Sequence, residues 1–219
     1  MTLLDFARGP GLQGAWLILI AGTVWRITGV LLLRQRPHLA APRTGLTGQV
    51  RGAISTIFTR FIPRRTFWPR IAVSVGLSST FHLGLAVIVL GGAPHILLIH
   101  QFFWLTWPNL PKGLVAIVSG VTLASMIALL FRRIYHPVLR LLSKADDYLS
   151  WLLVFLPVLT GILLSGETIA SYSTWLTMHI LSVELMMVWL PFGKLLHVKL
   201  AFFGRAAMGM NFARKGAAT

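Results

Sequence analysis

Five long apolar stretches constrain this chain more than any other feature of its sequence. They lie at about residues 15–33, 71–92, 114–131, 149–165 and 175–191. A helix of about 20 mainly apolar residues can cross a bilayer, because it satisfies its backbone amides within the segment. Only 11% of the 219 residues are charged, against roughly 25% in an average soluble domain. The sequence therefore predicts an all-α membrane protein built as a bundle of five transmembrane helices.

The basic residues give this bundle an orientation. Of the 20 Lys and Arg residues, eight lie between the first two spans, four between the third and fourth, and five after the fifth. Arg8 and Lys112 lie on the opposite side, and Arg26 lies inside the first span. Because positive charge stays on the cytoplasmic side of a membrane, the N-terminus is predicted outside and the C-terminus in the cytoplasm.

The cytoplasmic segments are of two kinds. The loop at 34–70 is basic, and apolar residues at helical spacing mark an amphipathic helix within it at 46–62: Val50, Ile54, Ile57, Phe58 and Phe61. Such a helix either lies in the membrane interface on anionic lipid or docks a soluble partner. Residues 1–200 are predicted to form the membrane domain. Residues 201–219 are predicted to be a cytoplasmic tail, loose from Gly209 onward.

Composition excludes several functions. The net charge of +15 comes from basic residues clustered between apolar runs, and not from the basic stripe of a soluble nucleic-acid-binding fold. Cysteine is absent, so this chain alone holds no disulfide, thiolate metal site or iron–sulfur cluster. The sequence contains no His-Glu-x-x-His pattern and no cluster of carboxylates, so it does not indicate a zinc hydrolase.

Seven histidines are the candidate functional residues. His38 and His136 lie in basic loops and are predicted to be ordinary surface residues. The other five lie in or beside apolar spans, where an ionisable side chain is costly and therefore usually functional: His82, His95, His100, His179 and His197.

The spacing of four of these histidines pairs them by depth. His179 and His197 are 18 residues apart, which is five turns and about 27 Å along one unbroken helix, with both rings on one face. His82 and His95 are 13 residues apart on the antiparallel second span, or about 20 Å along an unbroken helix. His95 is therefore predicted to meet His179 near the outer surface, and His82 to approach His197 near the cytoplasm.

Two irons with two axial imidazoles each would use all four of these residues. Imidazole is an axial haem ligand, and two per iron leave no open position for O₂, which suits electron transfer. The spacing thus favours two b-type haems, with zinc, a proton relay or plain helix packing as alternatives. His100 is the alternative to His95, because it lies 18 residues from His82, the same spacing as between His179 and His197. Pro94 interrupts the helix before both residues, so their depths do not follow from a straight helix.

Four short segments form a recognisable pattern: Phe81-His82-Leu83-Gly84, Arg132-Arg133-Ile134-Tyr135-His136-Pro137, Ala145-Asp146-Asp147, and Leu190-Pro191-Phe192-Gly193-Lys194-Leu195-Leu196-His197. They resemble the respiratory nitrate reductase gamma subunit family, and the likeness runs from the first span to His197. The segments Pro94-His95-Ile96-Leu97-Leu98 and Trp107-Pro108-Asn109-Leu110-Pro111 look closer to the DsrM-like membrane cytochromes b of sulfur-metabolism complexes.

The resemblance implies roles for particular residues. His82 and His197 match the ligands of the inner haem, and His179 matches one ligand of the outer haem. The second outer ligand of the nitrate reductase subunit falls at Gly92 here, and His95 is the replacement that the DsrM-like proteins suggest.

Three basic residues complete the implied site. Lys112 stands where a basic residue of the nitrate enzyme takes part in quinol binding, although an interfacial lysine that snorkels is the alternative. Arg132 and Arg133 are placed to hold haem propionates by charge-assisted hydrogen bonds, or to serve as a topology signal.

The resemblance further implies a function. The expected protein is a di-haem cytochrome b in a bacterial or archaeal cytoplasmic membrane. It would anchor a redox complex and exchange electrons between the quinone pool and a cytoplasmic iron–sulfur partner, with the terminal catalytic site on another subunit. The alternative is a haem-free membrane anchor for a soluble complex. A transporter with a histidine relay fits less well, since the sequence shows no repeated halves with broken helices.

Overall fold

A computed structural model describes residues 2–33, 41–60, 62–63, 65–166 and 171–217. Within these residues every regular element is helical. The α-helices are α1 Leu3–Phe6, α2 Leu12–Leu31, α3 Leu46–Thr59, α4 Trp68–Gly91, α5 Ala93–Phe103, α6 Lys112–Tyr135, α7 Pro137–Leu142, α8 Ala145–Ser165, α9 Tyr172–Trp189 and α10 His197–Lys215. A π-helical turn at Ala7–Gly11 joins α1 to α2, and 3₁₀ turns lie at Arg65–Phe67 and Lys194–Leu196.

Four helical stretches are long and apolar enough to cross a membrane: Leu3–Leu31, Arg65–Gly91, Lys112–Tyr135 and Ala145–Ser165. The prediction of an all-α protein is therefore confirmed for the described residues, and four of its helical stretches could span a membrane. The fifth predicted span corresponds to α9, an 18-residue helix that carries His179 and Glu184. The fifth span and the orientation stay predictions.

The second span breaks where the sequence predicted a kink or stop. Helix α4 ends at Gly91, and Gly92 is the extended N-cap residue of α5. The break leaves backbone carbonyls without helical partners, and the following loop supplies donors. The indole N–H of Trp107 donates to the Leu90 carbonyl at 2.6 Å, and the Leu110 amide donates to the Gly91 carbonyl at 2.9 Å. The polar backbone at the helix break is thus satisfied inside the protein.

The described residues fall into two compact units. The first comprises Met1–Trp16 and Arg70–Val188. Its α6 and α8 pack together, and the small polar residues Ser119, Thr122 and Ser125 are buried. Their hydroxyls donate to carbonyls of their own helix at 2.7 Å. Small side chains that satisfy themselves in this way let apolar helices approach closely.

The second unit comprises Leu17–Pro69 and Trp189–Thr219, and it contains the pair α3 and α10. The prediction of a loose tail from Gly209 was wrong, because α10 continues to Lys215. The Thr44 hydroxyl donates to the Ala213 carbonyl at 3.0 Å, and the Arg43 amide donates to the Arg214 carbonyl at 2.9 Å. Packing against α3 therefore accompanies the helical order of this segment.

The prediction that His179 and His197 share one unbroken helix was also wrong. Helix α9 ends at Trp189, and a 3₁₀ turn at Lys194–Leu196 precedes His197, which begins α10. Pro191 interrupts the helix because it has no backbone N–H to donate. It is buried against Gly22 of α2, where an added Cβ would lie 2.8 Å from its ring. The predicted separation of five turns does not apply.

Candidate functional site

The first unit brings His95 and His179 together. Their ring centres lie 6.1 Å apart, and the ring planes are inclined by 38°. His95 is carried by the first turn of α5, and His179 lies near the middle of α9. The structure thus places side by side the two residues that depth alone had paired from the sequence.

The helix break at Gly92 positions His95. The Nδ1 atom of His95 lies 3.1 Å from the carbonyl oxygen of Ile88, near the end of α4. A Cβ on Gly92 would lie 2.9 Å from that oxygen and 3.1 Å from His95 Nδ1. Only glycine at position 92 leaves room for His95 Nδ1 to reach the Ile88 carbonyl. The Gly91-Gly92-Ala93-Pro94 segment therefore ends α4 and also orients the imidazole carried by α5.

Helix α8 positions His179 in a comparable way. The Nδ1 atom of His179 lies 3.1 Å from the Pro157 carbonyl oxygen and 3.2 Å from the Thr160 hydroxyl. Gly161 faces the same ring, because an added Cβ would lie 3.3 Å from its Cε1 atom. None of these three contacts was predicted from the sequence. Thr160-Gly161 inside an apolar span is the signal that could have indicated the hydroxyl and the glycine beside His179.

His82 and His197 show the same local arrangement, each within its own unit. His82 Nδ1 lies 2.7 Å from the Ser78 carbonyl oxygen, one turn earlier in α4. His197 Nδ1 lies 2.8 Å from the Lys194 carbonyl oxygen in the 3₁₀ turn. His82 belongs to the first unit and His197 to the second, and their pairing stays a prediction.

In all four predicted ligands, the Nδ1 atom of the ring faces a backbone carbonyl oxygen. A carbonyl oxygen only accepts hydrogen bonds, so each Nδ1 carries the proton and donates it. In neutral imidazole the lone pair then resides on Nε2, the atom used for metal binding. A ring N–H donated to a backbone carbonyl is the usual outer contact of a metal-ligating histidine.

The remaining histidines lie elsewhere. His100 is exposed near the end of α5, and its ring packs edge-on against Trp104 at 6.0 Å. His136 joins α6 to α7 and is half-buried, rather than the surface residue predicted. Its Nδ1 atom is buried and has no hydrogen-bond partner within the described residues. His38 lies outside the described residues.

The three predicted basic residues have different surroundings. Lys112 is the exposed first residue of α6. Arg133 is engaged at the start of α8, where it lies 3.3 Å from an Asp147 oxygen and donates to the Ser143 hydroxyl at 3.0 Å. Arg132 donates from Nε to the Ser74 hydroxyl of α4 at 2.7 Å.

Arg132 thus leans over one particular face of α4. Ser74, Ser78 and His82 are spaced by four residues and therefore share a helix face. Of the two arginines, Arg132 contacts the face that carries His82, whereas Arg133 is held by Asp147. Within the described ranges, no group of three or more His, Cys, Asp or Glu side chains is arranged to hold a metal ion.

Comparison with known proteins shows what this chain is similar to. A protein of Nitratidesulfovibrio vulgaris (strain Hildenborough) is 30% identical over 224 residues, which cover 98% of this chain and 96% of the relative. Its name, "Protein", assigns it no activity. No family model matches the chain, and no solved structure matches it.

Proposed function

This chain belongs to the same family as the Nitratidesulfovibrio vulgaris protein, and we propose that it is a di-haem cytochrome b that anchors a redox complex in the membrane. In this proposal α9 is the fifth span, the N-terminus lies outside and the C-terminus lies in the cytoplasm. The chain exchanges electrons between the quinone pool and a cytoplasmic iron–sulfur subunit, which passes them to or from a catalytic subunit.

The separation of His95 and His179 is the observation that carries the proposal. Their ring centres lie 6.1 Å apart, which leaves room between them for one metal ion bonded to a nitrogen of each ring at about 2.0–2.1 Å. A structural zinc ion takes four ligands, whereas two imidazoles suffice as the axial ligands of a haem. The residues present therefore fit a haem better than a zinc ion.

The protein groups around these rings support the same assignment. The carbonyls of Ile88 and Pro157 hold the Nδ1 protons and fix both ring orientations. Such contacts raise the basicity of the ligating nitrogen and fix the tautomer. Gly92 and Gly161 keep Cβ atoms away from the two rings. Haem bound between His95 and His179 would supply a carrier of single electrons.

The inner haem rests on His82 and His197 in this proposal. Each has its Nδ1 atom on a backbone carbonyl, which directs the lone pair to Nε2. Arg132 is the better candidate for a propionate contact, because it lies on the α4 face that carries His82. Arg133 is the poorer one, since Asp147 already neutralises it.

In this proposal quinone binds near the outer haem ligands, His95 and His179. Lys112 is exposed at the start of α6 and is the basic residue offered to a quinone oxygen. Basic residues at the cytoplasmic ends of the spans complement an acidic surface on the iron–sulfur partner. Quinol oxidised near the outer haem would release its protons outside the membrane.

Haem content of the purified chain tests the proposal. A pyridine haemochrome assay is expected to give two b haems per chain, and His179→Ala and His82→Ala are each expected to lower this to one. Circular dichroism of the same variants controls for helix loss. Colourless protein, or protein whose haem content ignores both substitutions, would contradict the proposal and favour the haem-free anchor.

A further inference from the structure

Helices α3 and α10 form a tightly packed pair. A Cβ on Gly209 would lie 2.5 Å from the Thr56 hydroxyl oxygen and would also contact the Gly52 carbonyl. Thr56 is fully buried, and its hydroxyl donates to the Gly52 carbonyl at 2.8 Å. Two glycines at the crossing let the helix backbones touch. The face of α3 that carries Gly52 and Thr56 is thereby covered.

The opposite side of α3 presents an apolar row. It consists of Leu46, Val50, Ile54 and Phe58, which recur every fourth residue and so share one face of the helix. Their side chains are between 44% and 72% exposed. Packing against α10 fixes the direction of this outer row, because rotating α3 would separate the two glycines at the crossing.

The charge of the second unit is entirely of one sign. It contains 13 of the 20 Lys and Arg residues and none of the five Asp and Glu residues of the chain. Arg51 lies beside the outer row and is exposed. A surface with this balance attracts anionic groups and repels basic ones. Its partner must therefore offer both negative charge and an apolar phase.

The chain connection keeps α3 close to the bilayer. Helix α3 ends at Thr59, and a membrane-spanning stretch begins at Arg65. The six residue steps from Thr59 to Arg65 extend by at most about 20 Å. Arg51, beside the outer row, forms the basic border of α3. An amphipathic helix with such a border, held this close to a bilayer, has the properties of an interfacial helix.

We propose that α3 lies along the membrane surface, with its outer row between the acyl chains and its basic border on anionic lipid headgroups. Helix α10 backs it from the aqueous side. The location of this helix, which the sequence left open, is thus assigned to lipid rather than to a soluble protein. The proposal is independent of the haems, and it predicts that the second unit responds to lipid charge.

The absence of cysteine makes this proposal easy to test. Single-cysteine variants Ile54→Cys and Phe58→Cys on the outer row, and Thr59→Cys off the row, carry an environment-sensitive fluorophore in the full-length chain. The chain is placed in nanodiscs of phosphatidylcholine, with or without phosphatidylglycerol. Quenchers attached to lipid acyl chains report burial in the membrane, and acrylamide, which is neutral, reports exposure to water.

The expected result separates the two faces of the helix. Labels at positions 54 and 58 are quenched several-fold more by the lipid quencher than the label at 59, and phosphatidylglycerol strengthens this contrast. Adding Arg51→Gln weakens the lipid-charge effect about five-fold, the contribution of one basic residue near an anionic surface.

Two results would overturn the proposal. In one, acrylamide reaches positions 54 and 58 as readily as position 59 in phosphatidylglycerol nanodiscs. In the other, the row becomes shielded only when an acidic soluble subunit is added, which makes it a protein-docking surface. Agreement between two independent row labels guards against local misfolding of either variant.

Discussion

Gly92→Ala is the most discriminating substitution for the outer site. The backbone at Gly92 has φ −75° and ψ 124°, a conformation that alanine adopts without strain. The added Cβ instead meets the Ile88 carbonyl oxygen at 2.9 Å and His95 Nδ1 at 3.1 Å. These are the two atoms of the hydrogen bond that orients His95. The substitution therefore acts on the ligand rather than on the helix break.

The size of the effect follows from the hydrogen bond that is lost. Removing an orienting contact of a metal-ligating histidine typically costs about 10–100-fold in metal affinity. That range corresponds to about 1.4–2.8 kcal/mol. Gly76→Ala is the control, because Gly76 lies in the preceding helix α4 and its Cβ would meet nothing within 4 Å. Alanine there is expected to be neutral or stabilising by up to about 1 kcal/mol.

Transfer of haem to excess apomyoglobin, followed by absorption spectroscopy, measures this affinity. Gly92→Ala is expected to release one of its two haems at least about ten-fold more readily, while the other behaves as in the parent protein. Gly76→Ala is expected to match the parent for both. Equal retention of both haems by the two alanine variants would refute the role assigned to His95 and its carbonyl.

Three further substitutions test other parts of the structure. Gly209→Ala crowds the α3 backbone and is expected to lower the free energy of unfolding by about 1–3 kcal/mol, which a lower Tm would show. Gly204→Ala is the control and is expected to leave the Tm unchanged, because its Cβ would meet nothing within 4 Å. His100→Ala is expected to keep two haems in the haemochrome assay, and losing one would assign the outer ligand to His100. Arg133→Gln breaks a 3.3 Å ion pair with Asp147, in which the Arg133 side chain is 38% exposed. Thermal melts should therefore show a loss of folding stability below about 1 kcal/mol that shrinks in high salt; a larger loss of stability would give this pair a greater structural role.

Local chemistry explains what the sequence predicted well. The break at Gly91-Gly92-Ala93-Pro94 follows from the properties of glycine and proline, which act without help from the rest of the fold. The meeting of His95 and His179 was predicted from their positions near the same side of two stretches that the sequence predicted to be antiparallel spans. This pairing survives the two helix breaks, because each residue lies on the same side of the break as the helix that carries it.

Tertiary contacts explain what the sequence did not predict. The ordered α10 depends on Gly209 meeting Gly52, two residues far apart in the chain. Pro191 ends α9 before His197, so the continuous apolar run concealed a turn. The carbonyls that orient His95 and His179 are backbone atoms, and no residue type in the sequence identifies them.

A density map of the purified full-length protein, at side-chain resolution, tests the central claim most directly. The proposal predicts density for a macrocycle between α5 and α9, held by the imidazoles of both His95 and His179. Imidazoles that contact each other, with no macrocycle between them, would contradict it.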